Sequence, residues 1–211
     1  MKTIIMLSIV SLSVVRVSGQ EQIETFITEA QGFLAQENYR QAQLSLQDAI
    51  NEIDNLLAGQ VAEALPDEIN GLISDDEATS GGGMMGMMGG GMQITKSYSH
   101  PAKEENTAEV VILANAPMLS ALNLYLTNPS MMGQEYKSVR VGTRRAILKS
   151  EKEDYYDDNG NSREIRSSEI QIPLAQTLIT INARGFASEQ EELAFAAKLD
   201  IDKIRTLLGE Q

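Results

Sequence analysis

Apolar positions recur at helical spacing over the first third of the chain and fall into short alternating or continuous blocks over the rest. Ile23, Phe26, Ile27, Ala30, Phe33 and Leu34 share one helical face. Asn38 interrupts that face. A longer stripe follows through Tyr39, Ala42, Leu46, Ala49, Ile50, Ile53, Leu56, Leu57, Val61 and Ala64, in steps of three and four that suit a long helix packed on a neighbour. Gly59 is placed to end or bend this helix, and Leu65-Pro66 stops it. Residues 20–65 are therefore expected as a helical hairpin. Two isolated helices bury one stripe each and are marginal alone, so the hairpin needs a third surface.

Beyond residue 92 the period changes. Gln93–Ser99 alternates through Ile94, Lys96 and Tyr98, and Val110-Val111-Ile112-Leu113 is apolar on both faces, as in a central strand. Pro117 opens a helical face of Met118, Leu119, Leu122, Tyr125 and Leu126, which Asn128-Pro129 ends. Residues 136–141 and 145–149 read as a hairpin around Gly142, followed by strands at 163–174 and 176–183. Ser188 with Glu191 forms a capping box for the last helical stretch, with a break near Asp200. The order contains no alternating βαβ units. It predicts an α+β fold, with an N-terminal helical hairpin followed by an antiparallel sheet with helices packed on one face, and residues 93–211 as the α+β domain.

Residues 66–92 join the two halves and are expected as a linker: polar and turn-rich to Ser80, then a Gly/Met-rich loop from Gly81 to Met92. A merely flexible linker has no need of methionine. The thioethers of Met84, Met85, Met87, Met88 and Met92 are soft ligands that suit Cu(I), and His100 is near enough in sequence to add a nitrogen. The same side chains also suit an adaptable surface for a lipid, another apolar ligand or a protein, or can simply fill gaps over a sheet. These readings stay open, and a lone His100 followed by Pro101 is more often just a loop residue.

Charge separates the halves further. Residues 20–80 carry one basic residue, Arg40, against thirteen acidic ones, most of the formal net charge of -13. Such acidity repels phosphate backbones and anionic membrane surfaces, so nucleic acid is excluded as a partner, and a basic protein surface fits better. A solvated helix surface is the plainer account of the same charges. The 211-residue chain has no Cys, which removes disulfides, thiolate metal sites, thiol catalysis and a lipoprotein anchor.

Residues 1–19 have the three segments of a secretory signal: Lys2 near the start, an apolar run from Ile4 to Val15, and Val17-Ser18-Gly19 before Gln20. A run of about a dozen residues falls short of the roughly 20 a membrane span needs. The expectation is an exported protein, periplasmic or extracellular, not a lipoprotein and without a stable span after cleavage.

Ala30, Asn38-Tyr39, Ala42 and Ala49 resemble a single tetratricopeptide unit at residues 25–50, in which small residues admit close helix approach and Tyr39 fills the turn. Asn115-Ala-Pro-Met-Leu119, Thr127-Asn-Pro129 and the Gly-Met segment resemble an uncharacterised family of small exported bacterial proteins. That resemblance implies a helical N-terminal region, a Gly-Met or Gly-Phe segment and a C-terminal α+β domain, and implies no catalytic residue.

Candidate chemistry is sparse. Asp154–Asn161 is acidic, but an EF-hand register centred on Gly160 places Tyr155 and Arg166 where acids are required. Asn159-Gly160 reads instead as a hairpin turn. Arg144-Arg145 suits a solvated strand or an anionic contact. One histidine limits a Ser-His-Asp arrangement, and no Gly-x-Ser-x-Gly, phosphate loop or dinucleotide fingerprint occurs. The expectation is a binding or scaffolding protein rather than an enzyme, with a protein partner and self-association through the hairpin.

Overall fold

The computed structural model describes residues 8–75, 79–81, 91–115, 133 and 135–210. Two compact units divide between Gly59 and Gln60. The first is a helical pair, α1 (Ser8–Ala35) and α2 (Tyr39–Ala64, whose last residues lie beyond the division). Helix α1 runs unbroken through the position where the leader is expected to end.

Between the helices, Asn38 N–H donates to the Phe33 carbonyl at 2.9 Å and Glu37 N–H to the Leu34 carbonyl at 3.0 Å, with Glu37 in the left-handed region at φ 57°. This is a reversed-turn helix end, with glutamate where glycine is usual. Tyr39, expected to fill the turn, instead stands 67% exposed. Chain geometry makes the turn without it.

Among the described residues the second unit is built on nine antiparallel strands: β1 (Glu68–Ile69), β2 (Leu72–Ser74), β3 (Thr79–Gly81), β4 (Met92–His100), β5 (Lys103–Ala114), β6 (Tyr136–Val141), β7 (Arg144–Tyr156), β8 (Ser162–Pro173) and β9 (Thr177–Arg184). Eight lie in the order β1-β2-β4-β5-β9-β8-β7-β6, and β3 also pairs with β4. A β6–β9 meander thus joins β4–β5 through the β5–β9 pair. Register lines up the core in rows across the sheet: Ile94, Ile112, Ile179 and Ile172 in one, Lys96, Val110, Ile181, Ile170 and Leu148 in the next. All of these are buried. Strand alternation sends Val111, Leu113, Leu178 and Thr180 to the other face, where they are half-buried.

Two short helices follow, α3 (Glu189–Ala196) and α4 (Ile201–Leu207), separated as the period implied at Asp200, whose carboxylate caps α4 by accepting from Lys203 N–H at 2.9 Å. Ser188 caps α3, but Glu191 reaches back to Ala187 N–H, one residue earlier than in the usual box. Phe195 packs edge-on against Tyr98 of β4 and against Phe186, with centroids 5.4 and 5.9 Å apart. The chain is therefore α+β, as the pattern predicts.

Two details differ from the sequence-based expectation. Residues 66–81 are not a plain linker: they carry β1, β2 and β3, extending the sheet on the β4 side. Strand β7 continues past Lys149 to Tyr156, so it and β8 pair out to the Asn159-Gly160 turn. The helix expected at 117–128 lies outside the described residues.

Candidate functional site

The expected metal set does not assemble as one cluster. Met84, Met85, Met87 and Met88 lie outside the described residues. Met92 opens β4 with 4% exposure and pairs across the ladder with Ala114, so its thioether is core packing. His100 closes the same strand, and its Nδ1 accepts from Ala102 N–H at 3.1 Å. Eight residue steps of strand separate the two by about 26 Å, far beyond the reach of a shared ion. Among the described residues no three His, Cys, Asp or Glu side chains converge to hold a metal.

The acidic turn has a structural role. Asp157 accepts from Asn159 N–H at 3.0 Å and Asn161 N–H at 2.8 Å through one oxygen, and from the Asn161 side-chain amide at 3.0 Å through the other. The Asn161 bonds hold its carboxyl below the usual range. Of the Arg144-Arg145 pair, Arg144 bonds Asp202 of α4 and Arg145 bonds Ser138 of β6.

The helical pair is the more informative surface. Small residues form the seam: Ala30 of α1 and Ala42, Ser45 and Ala49 of α2 are buried, and a Cβ on the buried Gly19 would meet Leu56 Cδ2 at 3.0 Å. Gly19 opposite Leu56, with the turn at 36–38, sets the helices antiparallel. Close approach through small side chains leaves the larger apolar residues outside the seam, on both its sides.

At about 100° per residue, those two sides differ in chemistry. One side is an open cleft of about 540 Å³ lined by Glu29, Gly32, Phe33 and Gln36 of α1 and Gln41, Leu44, Ser45 and Asp48 of α2. Its two carboxylates border an apolar patch. Residues a quarter-turn past the seam in the opposite sense form the other side: Ile27 and Leu34 of α1, and Tyr39, Leu46, Ile50 and Ile53 of α2, all exposed. Around this second side α2 presents the amides Gln43, Gln47 and Asn51, with Arg40 at one end and Asp54 at the other. Burial raises the Asp54 carboxyl above its ordinary range. The acids Asp48 and Glu52 lie toward the cleft side. Sequence periodicity alone merged the seam and the second side into one broad stripe.

No helix among the described residues is long and apolar enough to cross a membrane. No family model matches the chain, and neither a curated protein nor a solved structure matches it.

Proposed function

We propose that this is an exported, non-catalytic binding or scaffolding protein whose helical pair docks a basic segment of another protein. The observation that carries the reading is the open cleft between α1 and α2, where Phe33 and Leu44 supply apolar contact and Glu29 and Asp48 supply charge. A segment with Lys or Arg flanking an apolar residue matches that arrangement, and complementary charge speeds its capture and selects against acidic competitors. The leader pattern of residues 1–19 supports export, and the resemblance to small exported bacterial proteins agrees with it. Self-association through the same helical pair belongs to this reading.

The test is fluorescence anisotropy with two labelled amphipathic peptides of equal apolar content, one lysine-rich and one glutamate-rich. The lysine-rich peptide is expected to bind, more weakly as salt rises, and the double variant Glu29→Lys/Asp48→Lys to lose about tenfold in affinity. Equal binding of both peptides, or no effect of the double variant, overturns the reading.

A further inference from the structure

We infer that the apolar side of the helical pair, opposite the cleft, is covered by a second copy of this chain, in a two-fold antiparallel four-helix bundle. This deepens the self-association named in the proposed function and does not depend on what the cleft binds.

Three observations select this occupant. Leu46, Ile50 and Ile53 form an exposed apolar stripe on successive turns of α2, and Ile27 and Leu34 of α1 widen it, so the side is an uncovered packing surface and not a scatter of single residues. On α2 its border is mainly the neutral amides Gln43, Gln47 and Asn51, in a segment where acids otherwise dominate, so a basic partner finds little charge there and Asp48 and Glu52 of a second copy are kept away from the contact. The two charged residues on the α2 border are arranged for self-pairing. Arg40 and Asp54 lie on the same flank of the stripe, nearly equidistant from Leu46-Gln47. When two copies of α2 pack antiparallel about a two-fold axis at that point, Arg40 of each copy faces Asp54 of the other. Within one copy, Arg40 bonds Gln43 of its own helix at 2.9 Å, a contact it can exchange for a carboxylate.

The α1 helices agree with the same axis. The seam to α1 lies about a quarter-turn from the centre of the α2 stripe, so pairing α2 with its copy brings the two α1 helices side by side. Ile27 and Leu34 are then the residues that face the copy, and their midpoint is close to the level of Leu46. Helices packed in a square with alternating apolar layers form the usual antiparallel bundle. The clefts with Glu29 and Asp48 remain outward and free.

Sedimentation equilibrium of the full chain, and of the chain beginning at Gln20, tests this. A dimer is expected for both, and Leu46→Glu and Ile50→Glu are expected to give monomers that keep their helical circular dichroism. Leu44→Glu, on the cleft side, is expected to remain a dimer. Because the chain has no cysteine, Leu46→Cys gives a second readout: oxidation is expected to link two copies, and Leu44→Cys is not expected to do so. A monomeric natural chain overturns the inference, as does loss of the dimer in Leu44→Glu but not Leu46→Glu. A monomer that binds zwitterionic vesicles through Leu46 overturns it in favour of a membrane. Charge reversal at Glu29 and Asp48 should leave the dimer intact, which separates failure here from failure of the cleft reading.

Discussion

The ammonium of Lys96, on the buried face of β4, donates to the carbonyl of Leu65 at 3.0 Å, just beyond the end of α2. Its flank is completed by Asp67 at 2.8 Å, a carboxylate that is 94% exposed. A cation at this place satisfies an orphan carbonyl and opposes the negative end of the helix dipole. The side chain is only 7% exposed, so the interaction is made away from most of the water. Lys96→Met keeps the apolar stem and removes the donor. It is expected to cost about 1–3 kcal/mol in urea unfolding, the penalty for an unsatisfied buried acceptor. Asp67→Asn should change far less, because its carboxylate stays solvated whichever partner it has. Equal losses would show that the ion pair, not the carbonyl, is the important contact.

Tyr98, two residues along the same face, donates to the Pro66 carbonyl at 2.8 Å. Burial, and then the Asp67 charge, push its phenol well above the ordinary range. A phenol that the fold keeps protonated contributes its full stability below about pH 10, the ordinary value, and loses it as pH rises beyond that. The natural protein is therefore expected to lose stability above about pH 10, with the Tyr98 phenolate absorbance rising only as the chain unfolds. Tyr98→Phe should be less stable at neutral pH by about 1 kcal/mol, the lost hydrogen bond, and the gap should narrow above about pH 10. A gap that stays constant with pH would show that Tyr98 ionises freely in the folded chain.

Periodicity makes the main elements legible in the sequence. Ile94, Lys96 and Tyr98 alternate and do share the buried face, and Asp200 does separate α3 from α4. Strands β1 to β3, of two or three residues each, are too short to show a period, so their stretch reads as loop. The cleft was illegible for another reason. It depends on which strip of a wide apolar stripe forms the seam, and here the small residues Ala42, Ser45 and Ala49 do, turning Leu46 and Ile50 outward. That choice belongs to the pair of helices and is written in neither helix alone.

Arg166 of β8 donates to Glu192 of α3 at 2.7 Å, and the Glu192 side chain is wholly buried. The second oxygen of Glu192 and one terminal nitrogen of Arg166 make no further hydrogen bond among the described residues. A pair this incompletely satisfied adds little net stability, yet breaking it strands a charge. Arg166→Met alone is expected to cost about 3–5 kcal/mol in thermal or urea unfolding. Adding Glu192→Leu should recover most of that loss. If the double variant is as unstable as the single one, the carboxylate has another role in the core.

Glu37 occupies the left-handed region at φ 57°, where a Cβ is crowded by its own carbonyl. Glu37→Gly is expected to stabilise the chain by about 1 kcal/mol, the relieved strain less the greater freedom of the unfolded glycine. Differential scanning calorimetry that shows a lower melting temperature for the variant would contradict this.

Gly185 and Gly142 both have positive φ, at 69° and 59°, but differ in surroundings. A Cβ on Gly142 meets nothing within 4 Å, whereas one on Gly185 would stand 2.3 Å from the Glu105 carbonyl oxygen. Gly185 also donates its N–H to the Arg166 carbonyl at 2.8 Å, which ties the end of β9 to β8 and leaves its backbone little freedom to retreat. Gly142→Ala should therefore cost only the left-handed strain, about 1 kcal/mol. Gly185→Ala adds a clash with backbone on β5 and is expected to cost about 3 kcal/mol or more. Urea denaturation of both variants checks this: a lower midpoint for Gly185→Ala at unchanged slope supports the close strand approach, and equal midpoints would show that β5 gives way at that point.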